Sequence, residues 1–376
     1  MEPFAKETRE FIDALSNTLL AEQIFKPHSE LTTLGFWLRA SNIKRLRQQY
    51  FAQDNVSSSL FLKPLGGVLH IAPSNVDTMF VYSWVCSLLV GNNNIVRVPS
   101  NITEAVQKLL SLISRLLQQP KFTSIAQRNL IATWTQQSNV SATLSLMVQA
   151  RMIWGGNETV QNIRKMPTLP NCRDIAFADK FSVSVLKLAG KSQDEIDALA
   201  ELLWRDISTF QQAACSSPRV LVFSDSPEQQ KQHLYSRLMA RANSLTNDAS
   251  TSMNHLVARQ LILSQHQDNY LHSDGPLSVV KIHKLHKDYI AWHPAQNFLY
   301  EYDVGDLTEL FAWLPEQCQT VSHFGFSSDE LQRAVAPYLG PSVDRLVPVG
   351  QALIFSSHWD GYDVLKQLSR IIELRV

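Results

Sequence analysis

The chain has 376 residues, with 34 Lys+Arg balanced by 34 Asp+Glu, a formal net charge of zero, 45% hydrophobic and 18% charged residues. That length implies about two domains, and the composition supports large buried cores rather than disorder. A neutral chain has no global field to recruit nucleic acid or an anionic membrane, so an anionic ligand must be held by local groups.

The first 60 residues carry helical, polar patterns (TREFIDALSNTLLAEQIF, NIKRLRQQYFAQD), and the N-terminal stretch lacks the apolar region of a signal peptide. GGVLHIA at 66–72 predicts a short apolar strand, broken by Pro73-Ser74-Asn75. The longest apolar run, Met79–Val90, spans roughly 18 Å as a helix. A bilayer core needs roughly 30 Å, so the run predicts a buried helix stopped at Gly91 and Asn92. NIVRVP (94–99) predicts a second strand and EAVQKLLSLISRLL (104–117) an amphipathic helix. NLIATW (129–134) and ARMIWGG (150–156) predict further strands, with ETVQNIRKM as the following helix. This alternation implies a parallel sheet with helices on both faces. A second alternation runs from about residue 180 to 345: FSVSVLKL, DEIDALAELLWRDI, RVLVFS, a long helical middle, then DRLVPV. ALIFSSHWDGYDVLKQLSRIIEL is expected to form a strand, a turn and a closing helix.

Several suggestive patterns carry no chemistry. Ala189-Gly190-Lys191-Ser192 ends like a P-loop, but position 185 is Val where that motif needs Gly. GxGxxG, GxSxG and HExxH are absent. His70, in an apolar strand, is expected to be a satisfied core histidine, and His358-Trp359-Asp360 a packed turn. Cys86, Cys172, Cys215 and Cys318 form no CxxC pair or Cys/His cluster. Neither a metal nor a disulfide framework is expected, and a reducing cytoplasm fits.

Three places remain. Ile153–Thr159 sets Gly155, Gly156 and Asn157, as cap, between a strand and a helix; the pattern fits an anion cradle or an ordinary βα turn. Arg97 ends a strand and is followed by Ser100, Asn101 and Thr103, with no carboxylate before Glu104. A cation there suits an adenosine ribose, including one bearing a 2′-phosphate, and equally a solvated strand end. Cys215 lies in Gln211-Gln212-Ala213-Ala214-Cys215-Ser216-Ser217-Pro218, just before a strand. Small polar neighbours leave a nucleophile open to attack and supply N–H groups for an oxyanion.

In order along the chain, Gly66–Val76, Gly91–Ser100, Trp154–Val160, Gln211–Pro218, Asp344–Gly350 and Trp359-Asp360-Gly361 resemble the LuxC-type acyl-CoA reductase branch of the aldehyde dehydrogenase superfamily, from about residue 60 to the end. The resemblance implies an α/β, aldehyde-dehydrogenase-like fold, with a Rossmann-type cofactor domain and a second α/β catalytic domain. Its expected divisions are 1–178, 179–347 with the nucleophile, and a 348–376 segment returning to the cofactor domain. It implies Cys215 as nucleophile, Asn75 with the Cys215 N–H as oxyanion donors, and Arg97, Ser100, Gly155 and Gly156 beside NADPH. It implies acyl-CoA or an acyl-carrier or synthetase protein as donor, a cytoplasmic homo-oligomer, and no nucleic-acid or membrane partner. Oxidising relatives carry a water-activating Glu where this chain has Ala176 or Phe177, with Asp179 nearby. Its absence favours reduction over aldehyde oxidation. A partner subunit using the fold without catalysis is the remaining alternative.

Overall fold

The computed structural model describes residues 1–52, 60–73, 76, 78–266, 268–273 and 275–375. The chain divides into one unit of Met1–Asp179 with Phe355–Val376, and another of Lys180–Ile354.

In the first unit, β1 (Leu60–Pro64), β2 (Gly67–Ile71), β3 (Asn93–Arg97), β4 (Asn129–Ala132), β5 (Ala150–Trp154) and β6 (Arg173–Phe177) follow the N-terminal helices. β2 to β6 make one parallel sheet ordered β4-β3-β2-β5-β6. Chain order reverses between β2 and β5, so the crevice at their C-terminal ends is a topological switch point, where open α/β sheets bind ligands. The helix Met79–Leu89 is buried almost all round, as its uniformly apolar sequence requires. His70 is fully buried and satisfied by Ser83 Oγ at 2.8 Å and Asn94 Oδ1 at 3.0 Å. Burial pushes its pKa down to about 4, keeping it neutral. β5 and β6 are also riveted by charge: the buried Arg151 guanidinium meets both Asp174 oxygens at 2.7 Å and donates to the Ile163 carbonyl at 2.8 Å.

The second unit contains β7 (Phe181–Leu186), β8 (Pro218–Phe223), β9 (Tyr270–Ser273), β10 (Ser278–Lys281), β11 (Phe298–Asp303), β12 (Cys318–Phe324) and β13 (Arg345–Pro348). Their order is β13-β12-β7-β8-β11-β10-β9, parallel throughout except for the antiparallel edge strand β9. β7 is buried at every residue, as a central parallel strand covered on both faces must be. The helical middle expected between RVLVFS and DRLVPV is corrected here, because β9 to β12 interrupt its helices. β11 and β12 mix Glu301, Asp303, Gln319 and His323 into β-branched and aromatic runs, which conceals a buried strand.

The C-terminal segment also departs from expectation. β14 (His358–Trp359) and β15 (Tyr362–Asp363) form a hairpin, with Asp360 and Gly361 both at positive φ in its turn. The closing helix is only Val364–Gln367, and β16 (Ser369–Glu373) pairs antiparallel with β1. A ready edge strand, plus the Tyr50–Ser369 hydroxyl contact at 2.9 Å, overrides the helical periodicity of that stretch. Among the described residues no helix is long and apolar enough to cross a membrane.

Asp206 anchors the loop after β13. Its buried carboxylate accepts from the Gly350 N–H at 2.6 Å, and Arg205 Nη2 donates to the Gly350 carbonyl at 2.5 Å. Gly350 sits at φ 88, where a Cβ would lie 2.9 Å from Arg205 Nη2. Burial raises the Asp206 pKa from 3.8 to about 6, against the pull of the Gly350 and Ala352 N–H groups. The folded state therefore holds this proton more tightly than the unfolded state, so the group's contribution to stability falls as pH rises between those values. Relative to Asp206→Asn, the wild type is expected to lose up to about 3 kcal/mol over that window. Urea midpoints measured across the window check this; a wild type that gains on the variant as pH rises contradicts it.

Candidate active site

Cys215 lies in the turn that enters β8 in the second unit. After the helix Gln193–Ser208, the chain reverses through Phe210, Gln211 and Gln212, at φ 54, 52 and 61. A second left-handed triplet, Ala295, Gln296 and Asn297, enters the neighbouring β11 at φ 61, 60 and 64. Such a conformation costs about 1–2 kcal/mol per non-glycine residue, so neither triplet forms without being held. The Gln296 N–H donates to the Gln211 carbonyl at 2.8 Å, joining them.

The main clamp is Gln212. Its fully buried amide donates to the Pro218 and Phe298 carbonyls at 2.8 and 2.9 Å and accepts from the Phe298 N–H at 2.9 Å. From β7, Ser182 Oγ donates to the Cys215 carbonyl at 2.8 Å and accepts from the Thr320 N–H of β12 at 3.2 Å. Four adjacent strands thus fix the turn through two side chains. Cys215 is half-buried between the buried Ala214 and Ser216.

Two histidines, His255 buried and His293 half-buried, brace the second triplet. His293 Nε2 donates to the Phe298 carbonyl at 2.8 Å, and its Nδ1 accepts from the Ala295 N–H at 3.1 Å. Burial, with Arg219 nearby, holds its pKa well below the usual histidine value. His255 Nε2 donates to the Gln296 carbonyl at 2.9 Å, with Nδ1 against Ser278 Oγ at 2.9 Å. Gln212, Ser182, His255 and His293 were not singled out by sequence pattern. Their partners lie on other strands, and a Gln before a Cys or a Ser in an apolar strand gives no local signal.

The other thiols are poor nucleophiles. Burial pushes Cys86 up to about 12 and raises Cys318 and the half-buried Cys172 above the usual thiol value.

The remaining candidates belong to the first unit. Arg97, at the C-terminal end of β3, is half-buried, and its Nε donates to the Trp134 carbonyl at 3.1 Å. Ser100 is exposed just beyond it. Gly155 and Gly156 follow β5 at the same sheet edge, so Arg97 and the glycines flank the end of β2. Asn75 lies outside the described residues. The cap of the helix Asn157–Arg164 is Gly156 rather than Asn157, and the Asn157 N–H is taken by the Asp179 carboxylate at 2.9 Å. A Cβ on Gly156 would meet Asp179 at 3.3 Å, and one on Gly155 would meet Thr159 at 3.0 Å. Internal packing therefore accounts for both glycines, and a carboxylate already sits where an anion was expected. Ser192 of the P-loop look-alike caps the helix Gln193–Ser208 in a capping box with Glu195. His358 is exposed, 3.8 Å from Asp363.

Replacing Gln212 by Leu keeps its bulk and strips the Phe298 N–H and two carbonyls of a buried partner. The expected cost is about 2–3 kcal/mol, with slower acylation of Cys215 under native conditions. Urea unfolding and intact-mass acylation rates measure both, and unchanged values would show that the clamp is dispensable.

The fold has close counterparts among solved structures. An NAD-dependent aldehyde dehydrogenase from Sinorhizobium meliloti matches with a TM-score of 0.68 at 11% identity, over 100% of this chain and 82% of its own. A 1-pyrroline-5-carboxylate dehydrogenase from Thermus with bound NAD matches at 0.69 and 15% identity, over 98% and 81%. Aldehyde dehydrogenase 21 from Physcomitrella patens, in complex with the product succinate, matches at 0.67 and 9%, over 97% and 84%. These likenesses establish the aldehyde-dehydrogenase fold. No curated protein matches the sequence. The family model for acyl-CoA reductase (LuxC) matches residues 44–371. The fold and that match make the chain an oxidoreductase acting on acyl or aldehyde groups, and it belongs to the LuxC acyl-CoA reductase family.

Proposed function

We propose that the protein reduces an acyl thioester to an aldehyde with NADPH, through a thioester on Cys215. The observation that carries this is the Cys215 turn: a half-buried thiol stands on a left-handed chain reversal clamped by Gln212 and Ser182, in a chain of the acyl-CoA reductase family. The first unit serves as the cofactor domain and the second as the catalytic domain. The donor is acyl-CoA or an acyl group on a carrier or synthetase protein, and the working form is a homo-oligomer.

Cys215 Sγ attacks the thioester carbonyl carbon. Asn75 and the Cys215 N–H stabilise the oxyanion, and the donor thiol departs with a proton. NADPH, held beside Arg97 in the first unit, would supply the hydride that takes the thioester on Cys215 to a thiohemiacetal. Its collapse releases the aldehyde and regenerates the thiolate.

The residues of the first unit suit a nicotinamide dinucleotide at the adenosine side. Arg97 is oriented by the Trp134 carbonyl at the ligand-binding edge of a sheet with Rossmann order. The first carboxylate after it, Glu104, is drawn to Lys108 at 2.7 Å, so it does not oppose a 2′-phosphate. The glycine turn supports the cofactor by packing rather than by open N–H groups. Reduction is favoured over oxidation because the two carboxylates near Ala176 and Phe177 are committed: Asp179 caps the helix Asn157–Arg164 and Asp174 is held by Arg151. Thioester hydrolysis needs a positioned base, which commonly contributes about 10²–10⁴-fold.

Two experiments test this. Incubated with aldehyde and NADP⁺ and no thiol, the enzyme is expected to release near one equivalent of NADPH and stall as an acyl-Cys215 adduct, absent in Cys215→Ala. Coenzyme A then discharges it as a thioester. Steady thiol-independent acid production would place the protein with the oxidising enzymes. Separately, Arg97→Ala is expected to lower kcat/KM for NADPH by about 10–100-fold through loss of a charge-assisted contact, with little change for NADH. Equal loss with both cofactors would remove Arg97 from 2′-phosphate recognition.

A further inference from the structure

Within the second unit, at the sheet edge opposite the Cys215 turn, three side chains converge outside any role assigned above. His266 follows the helix Ala249–Leu263, Asp268 lies two residues on, and His283 follows β10. Their ligand atoms lie within 4.8 Å of one another. Asp268 Oδ2 is 3.7 Å from Nδ1 of His266 and 3.7 Å from Nδ1 of His283. The two rings stand face to face, with centroids 4.4 Å apart and planes 17° apart.

Direct ion pairing does not account for this arrangement. A carboxylate hydrogen-bonded to imidazolium closes to about 2.7–2.9 Å on one ring, whereas this oxygen is equidistant from two rings at a spacing too long for a hydrogen bond. A shared cation accounts for the equidistant oxygen, with the two exposed rings tilting so that their in-plane nitrogen lone pairs converge on it. With bonds of about 2.0–2.1 Å in tetrahedral geometry, ligand atoms stand about 3.3–3.4 Å apart, so each oxygen–nitrogen gap needs to shorten by only a few tenths of an ångström. The exposed side chains are free to do so.

The backbone beneath is already set. Asn269, buried at 6% exposure, accepts from the His283 N–H at 2.9 Å, and its amide donates to the Ile262 carbonyl at 2.9 Å and the Tyr289 hydroxyl at 3.1 Å. One buried amide therefore fixes the separation of the two segments that carry the ligands. His266 Nδ1 now accepts from the Asp268 N–H at 3.2 Å, a weak bond that a metal would replace.

We propose that His266, Asp268 and His283 form a binding site for a borderline divalent cation of the zinc type. Two imidazoles and one carboxylate suit such an ion better than magnesium or calcium, which prefer all-oxygen shells. Three protein ligands leave a position for water. The site ties the end of the helix Ala249–Leu263 to the segment after β10 and takes no part in the chemistry at Cys215.

Tag-free, chelator-stripped protein titrated with zinc chloride in a calorimeter is expected to bind one equivalent and to unfold at higher temperature. His283→Ala and His266→Ala should each lose that equivalent and the thermal shift, while folding normally and retaining aldehyde formation. Cobalt as the probe should give visible ligand-field bands without the intense near-ultraviolet thiolate band that ligation by Cys215 or another cysteine would produce. Binding retained in both histidine variants, a thiolate band, or no heat and no thermal shift in the wild type would each overturn the proposal.

Discussion

Each polar atom of the Gln212 side chain is used, and each on the backbone of a β8 or β11 entry. This amide stands where two chain reversals enter adjacent parallel strands, and both reversals pass through three non-glycine residues in the left-handed region. Six such residues at about 1–2 kcal/mol each form a burden comparable to the net stability of a domain. That burden is tolerable only if the loops have no looser conformation that satisfies their buried groups. The Gln212 amide, His255, His293 and the Gln296–Gln211 backbone bond supply that restriction. Glycine would remove the strain but would let the Cys215 turn sample other conformations. Strain held by packing is therefore a route to a single orientation for the thiol.

The position of Cys215 on the N-terminal edge of the sheet has a counterpart on the other edge. Parallel α/β sheets usually bind ligands at the C-terminal ends of their strands. In the second unit part of that edge is filled by a self-neutralising cluster. Lys231 and Lys281 face Glu301 and Asp303, and Lys231 and Glu301 are nearly fully buried. Tyr235 stands against Glu301, and burial beside two carboxylates keeps its hydroxyl protonated. Two cations and two anions cancel, which leaves little field for a charged substrate. In the first unit the same edge keeps Arg97 at the end of β3 beside the switch point. In the proposed reading the two sheets divide the work by edge: the first would offer its C-terminal edge to a cofactor, and the second carries Cys215 on its N-terminal edge.

How legible these features are depends on how local their causes are. β2, β3, β5, β7 and β8 can be read from sequence because each is a short run rich in apolar and β-branched residues between turn residues, and β5 and β7 are buried at every position. The helix Glu104–Leu117 is equally plain from its apolar spacing. β11 and β12 escape because buried Glu301 and Gln319 look solvent-facing until their partners are known. The C-terminal strand β16 escapes because helical spacing in VLKQLSRIIEL is real but outcompeted by pairing with β1, which lies far away in sequence. Cys215 is legible from its small polar neighbours and the strand behind it. The clamp around it is not, since Gln212 reaches Phe298 across 86 residues. The grouping of His266, Asp268 and His283 is invisible for the same reason: no sequence spacing joins His266 to His283 until Asn269 brings their segments together.

The glycine turn after β5 shows how one carboxylate can constrain a reaction. The first turn of the helix Asn157–Arg164 needs acceptors for its N–H groups, and Gly156 has no side chain to offer one. Asp179 provides it from the far side of β6, and Gly156 leaves the room that its carboxylate needs. Recruiting Asp179 to activate water would strip that cap, worth about 1 kcal/mol, and leave the N–H without its partner. The position where the resemblance places a water-activating Glu in oxidising relatives reads Ala176 or Phe177 here, and Phe177 is buried and stacked on Trp154 with ring planes 8° apart. The segment that would have to supply a base is thus committed to packing and capping. In the proposed chemistry a thioester on Cys215 would find no uncommitted base in this segment to hydrolyse it, and would persist to meet a hydride or a thiol.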